Sequence, residues 1–92
     1  MSPNIKSIDF VGAMKNATFV IQALSADGIT VKGITLAGQK PVIRIQHCGF
    51  CDRLINTGKA SYVEFGCGTE GRYRQGQYLT GGCKVVWSES LH

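Results

Sequence analysis

The sequence predicts a single all-β domain: a small sheet or half-open barrel of five to six antiparallel strands, with a Cys-x-x-Cys knuckle on one side. Three observations predict it. Short runs rich in Val, Ile, Phe and Thr recur between Gly, Pro and Asp punctuation. The spacers are only about four residues long, which favours neighbouring antiparallel strands over crossovers. No segment supports a long helix. The runner-up class is α+β with one short helix at residues 52–57. A chain of 92 residues allows one domain, residues 1–92, and not two.

The first 47 residues read as an antiparallel meander. Residues 4–10 alternate weakly, with Ile8 and Phe10 on one side. Residues 17–24 form the strongest strand, β-branched and aromatic, with Ala17, Phe19, Ile21 and Ala23 on one face. Residues 25–28 are a turn, because Gly28 supplies positive φ and Asp27 bonds its own backbone. The return strand, residues 29–36, changes apolar phase at Gly33. One extra residue there restores the inward face, so a bulge or sharp bend is expected. Residues 37–41 turn again. Residues 42–47 then alternate cleanly, with Ile43, Ile45 and His47 on one side and Val42, Arg44 and Gln46 on the other.

Residues 48–92 hold the knuckle, a Gly-rich hairpin and a last strand. Asp52 caps a helical turn and Gly58 stops it. Residues 61–67 are a strand with Val63, Phe65 and Cys67 on one face. Glycines at 66, 68, 71, 76, 81 and 82 make residues 66–82 a loop or irregular hairpin. Residues 83–87 close the sheet with Cys83, Val85 and Trp87 inward, and residues 88–92 fray.

Composition excludes several classes. Hydrophobic content of 43% and charged content of 17% are too apolar and too weakly charged for a disordered chain. No run of about 18 apolar residues exists, so no membrane helix is expected. The first residues lack a signal-peptide core, and the expected compartment is the cytoplasm. The net charge of +4 is spread evenly, with two more bases than acids before residue 41 and two more after it. Gross charge therefore permits a polyanion partner without requiring one.

The four cysteines are spaced C-x2-C-x15-C-x15-C. Cys48 and Cys51 sit three apart on a turn where Gly49 lets the backbone fold, a spacing that grips one tetrahedral ion. Cys67 and Cys83 complete a zinc site if their strands are neighbours. Zinc is the expected cofactor if any, with ligands Cys48, Cys51, Cys67 and Cys83. Three other readings remain open: reduced structural thiols, disulfides, and a thioredoxin-like dithiol oxidoreductase with Cys48 at a helix start.

The segment Cys48-Gly-Phe-Cys51-Asp-Arg-Leu-Ile, followed by Val63-Glu-Phe-Gly-Cys67, resembles the Com family of small zinc-finger translational regulators of Mu-like phages. The resemblance covers residues 48–67. It implies three zinc-ligand positions, at Cys48, Cys51 and Cys67, and an RNA partner. The fourth ligand of that family falls at Glu70 here.

Residues 72–78, Arg-Tyr-Arg-Gln-Gly-Gln-Tyr, are the strongest polyanion signal, since guanidinium pairs with phosphate and tyrosine stacks on unpaired bases. Arg53, Lys59, Arg72, Tyr73, Arg74 and Tyr78 are the expected contacts. No catalytic set of Ser, His and Asp or paired carboxylates stands out, so the expected activity is non-catalytic. The leading expectation is a binding module for RNA or single-stranded nucleic acid. The alternative is a protein-binding module of phage or mobile-element origin, because Tyr and Arg also dominate protein interfaces.

Overall fold

The computed structural model describes the backbone of residues 4–36, 40–69 and 71–91, and side chains from residue 10 onward. The expected turn at 37–41 lies partly outside the described residues, as does Glu70. The elements are α1 (Asn4–Ala26), β1 (Val31–Thr35), β2 (Val42–Ile45), α2 (Gly49–Asn56), β3 (Ser61–Gly68), β4 (Gly71–Thr80) and β5 (Cys83–Leu91). The five strands form one open sheet in the order β1-β2-β5-β4-β3. The domain is therefore mainly β with two helices, and the sheet does not close into a barrel.

The largest departure from the sequence reading is α1. Residues 17–24 are helix, not strand. Ala17, Val20 and Leu24 are buried, at helical and not strand spacing, while Phe19 is 71% exposed. Alanines, Met14, Lys15, Gln22 and Leu24 favour helix, and the β-branched Thr18 is accommodated by donating Oγ1 to the Met14 carbonyl at 2.9 Å. Burial against β1 and β5 decides the contest. Gly28 is consequently not a hairpin turn but the stop of the helix. It has φ +79°, Gly28 N–H donates to the Ser25 carbonyl, and Ile29 N–H donates to the Leu24 carbonyl, both at 3.0 Å. This is the glycine C-terminal motif, with Ile29 and Leu24 both in the core.

β1 and β2 form the expected antiparallel pair. Its register shifts between Val31 and Gly33, so the bulge falls where the apolar phase changes. The antiparallel expectation fails once: β2 runs parallel to β5, with Val42, Ile43 and Arg44 beside Lys84, Val85 and Val86. The short helix of the runner-up reading is present as α2, beginning at Gly49.

The glycine-rich stretch is the regular strand β4, paired from Arg72–Leu91 to Thr80–Cys83 with β5. Residues 88–91 extend that ladder and do not fray. Gly81 and Gly82 have φ of +55° and +77°, the two positive values of a tight hairpin turn. Gly76 has a different role. A Cβ there would lie 2.3 Å from Trp87 Cζ2, so the glycine makes room for the indole of its cross-strand neighbour.

Trp87, Ile43, Ile45, Val85 and Cys83 point to one face and are almost fully buried. Ala17, Val20, Leu24 of α1 and Cys51 of α2 join the same cluster. Both helices thus cover one face of the sheet. Among the described residues, no helix is long and apolar enough to cross a membrane.

Candidate functional site

Beyond Ile45 the chain stays extended and enters α2 at Cys48, the N-cap residue, with φ −159° and ψ 179°. Its carbonyl accepts Cys51 N–H at 2.9 Å. Asp52 lies in the first turn, where a carboxylate suits the helix dipole. At the other end Thr57 Oγ1 donates to the Arg53 carbonyl at 2.8 Å, and Gly58, φ +76°, stops the helix. All four cysteines are free thiols. Cys48 is half-buried and Cys51 fully buried. Burial pushes the Cys51 thiol up to about 11.

The expected four-cysteine zinc site is not assembled. Cys67 lies opposite Arg72 at one end of β4, and Cys83 lies opposite Thr80 at the other. Eight residues of strand separate them by roughly 26 Å, whereas ligands of one zinc ion lie about 2.3 Å from it. The long hairpin that was expected to bring the two cysteines together instead holds them apart. Cys67 is exposed and Cys83 buried. Among the described residues, the group with three ligand atoms within 4.8 Å of one another is His47, Asp52 and Glu89.

That group belongs to a network centred on Glu89, whose side chain is 9% exposed. Glu89 Oε1 accepts the Tyr62 hydroxyl at 2.7 Å and is ion-paired with Arg74 Nε. Its Oε2 is 2.6 Å from His47 Nε2, which is also 2.9 Å from Asp52 Oδ1. The Arg74 guanidinium lies 3.9 Å over the Tyr62 ring. Burial first, and then the bond to Glu89, raise the Tyr62 hydroxyl above its ordinary value. His47 thereby pins the start of α2 to β5, and Arg74 is committed inside the network.

The Arg/Tyr segment is consequently divided. Adjacent residues of a strand face opposite sides. Arg74 and Tyr78 share the helix-covered side with Trp87, as their partners Glu89 and Val85 show. Tyr78 packs edge-on to Phe50, with ring centroids 5.9 Å apart, and burial pushes its hydroxyl up to about 12. Neither residue is a free contact, which corrects the expectation for both. Arg53 is on α2 and Lys59 follows it, so these two exposed cations belong to the helical side. The six residues do not form one patch.

The opposite face carries Arg44, Lys84, Tyr73, Gln75, Gln77 and Ser88, and among the described residues no helix covers it. Tyr73 lies across Gly66, where a Cβ would sit 2.4 Å from the ring. Arg44, Arg72, Tyr73 and Gln75 line an open groove of about 460 Å³ together with Glu64 and Ser90. Tyr73 was expected here; Arg72 reaches the groove from the end of β4, while its register with Cys67 and Leu91 sets it on the same side of the strand as Arg74. Arg44 and Gln75 were not expected, although the alternation of residues 42–47 already set Arg44 opposite the buried Ile43 and Ile45. Glu89 gave no local signal, because its role depends on the register between β4 and β5.

The chain belongs to a protein family described as "Uncharacterised protein", which it matches over residues 1–90. No curated protein and no solved structure matches it.

Proposed function

We propose that this chain is a small binding module for RNA or single-stranded nucleic acid, with the uncovered face of the sheet as its platform. The observation that carries this reading is Tyr73, whose ring lies across Gly66 in an open groove that Arg44 also lines. A ring held against a sheet offers its outer face for base stacking, and flanking guanidinium groups pair with phosphates. The resemblance of residues 48–67 to translational regulators favours RNA as the polymer.

Fluorescence anisotropy with single-stranded RNA tests it. Binding is expected to weaken steeply with salt, because phosphate contacts release counterions. Tyr73→Ala combined with Arg44→Glu is expected to lower affinity at least about tenfold while the fold persists. Absence of binding at low salt overturns the reading, as does full affinity in the double variant.

A second reading, a protein-binding module, is favoured by α1. Phe10, Val11, Met14 and Phe19 are each at least 46% exposed, and Val11, Met14 and Phe19 line a shallow groove along the helix. Recovery of one protein partner that is lost in Val11→Asp with Phe19→Asp, without RNA binding, favours this reading over the first.

A further inference from the structure

The sheet platform leaves the Cys48–Cys51 pair unused. The pair occupies the first turn of α2, with Cys48 as N-cap. Residues three apart on such a turn have Cα atoms roughly 5 Å apart, inside the range a disulfide spans. The turn between them is closed by Cys51 N–H, which donates to the Cys48 carbonyl at 2.9 Å. The thiols differ in access, since Cys48 is half-buried and Cys51 is fully buried. The group of His47, Asp52 and Glu89 includes neither sulfur, and Cys67 and Cys83 are held at opposite ends of β4. Two adjacent thiols without further ligands suit sulfur exchange better than metal binding.

We propose that Cys48 and Cys51 form a thiol–disulfide exchange site for disulfides of the glutathione type, with Cys48 attacking and Cys51 resolving. The Cys48 thiolate attacks one sulfur of glutathione disulfide. A Cys48–glutathione bond forms as the glutathione S–S bond breaks, and the leaving sulfur takes a proton from water to become a thiol. Cys51 then loses its proton to solvent and attacks the Cys48 sulfur. The Cys48–Cys51 bond forms, and the second glutathione leaves as a thiol. The chain's two thiols are oxidised to one disulfide, and one glutathione disulfide is reduced to two thiols.

Mass mapping of the full chain in glutathione redox buffers tests this. The wild type is expected to lose the mass of two hydrogens, with the new bond mapped to Cys48–Cys51. Cys51→Ala is expected to trap glutathione on Cys48. In the reduced wild type, iodoacetamide is expected to label Cys48 at least about tenfold faster than Cys51. The wild-type map stands alone if Cys51→Ala does not fold. Glutathione on Cys67 with Cys48 and Cys51 still reduced overturns the proposal. So does purified chain holding about one equivalent of zinc that blocks both thiols.

Discussion

The Tyr62 hydroxyl reaches Glu89 Oε1 at 2.7 Å although a whole strand, β4, lies between β3 and β5. Arg74 of that middle strand completes the link. Its guanidinium stacks on the Tyr62 ring and pairs with the same carboxylate oxygen. Three adjacent strands are thus fastened by side chains, and His47 ties the same carboxylate to Asp52 at the start of α2. Glu89→Ala leaves Tyr62, Arg74 and His47 without their acceptor and is expected to cost about 2 kcal/mol. Tyr62→Phe is expected to cost about 1 kcal/mol. Urea unfolding followed through Trp87, the single tryptophan, measures both. Additive losses in the double variant overturn the shared-acceptor account, because coupled partners are not additive.

Gly76→Ala is expected to destabilise the domain by about 1–3 kcal/mol. Its new methyl group enters the space of Trp87 Cζ2, 2.3 Å away, so the indole must move. A shift in Trp87 emission accompanies the loss. An unchanged spectrum with unchanged stability contradicts the packing described.

Gly28→Ala is expected to cost about 1–2 kcal/mol, because φ of +79° at the end of α1 suits a residue without Cβ. Thermal melts measure it. Gly33→Ala is the control. Nothing crowds a Cβ at that position and its φ is ordinary, so its cost is expected to be smaller.

Stability is expected to fall at alkaline pH in two overlapping steps. Cys51 titrates near 9.0 unfolded and about 11 folded. Tyr78 titrates near 10.0 unfolded and about 12 folded. Below the unfolded values both states hold the proton and nothing changes. Above them the unfolded chain gives up protons that the folded chain retains, so unfolding gains until the folded values are passed. Tyr78→Phe is expected to flatten the loss between pH 10 and 12. Urea midpoints in the presence of reductant follow it.

Arg53→Ala combined with Lys59→Ala is expected to leave RNA affinity unchanged, since both cations sit on the helical side. A loss comparable to that of Tyr73→Ala places the interface on the wrong face.

The legible parts of this chain are those where side-chain alternation and burial agree. Ile43 and Ile45 marked β2 and its inner face, and with them the outward side of Arg44. Gly33 marked the bulge. Helix α1 was not legible, because apolar residues surround it: Phe19 faces solvent while Val20 beside it is buried. Its stop, Asp27-Gly28, is the same dipeptide that turns a hairpin. Strand β4 was hidden by glycines that serve neighbours and not turns. Gly76 yields to Trp87 and Gly66 to Tyr73, and both partners are identified only by cross-strand register. The same holds for Cys67 and Cys83, whose equal spacing in sequence translates into opposite ends of a ladder.

The parallel pairing of β2 with β5 also sets an order of events. The hairpins β1–β2 and β3–β4–β5 close over a few residues and can form early. Joining them requires Val42–Arg44 to meet Lys84–Val86 across about 40 residues of chain, an entropic cost paid before any contact rewards it. Ile43 has no strand on its second side until then. During synthesis the central seam therefore waits for residues 83–87.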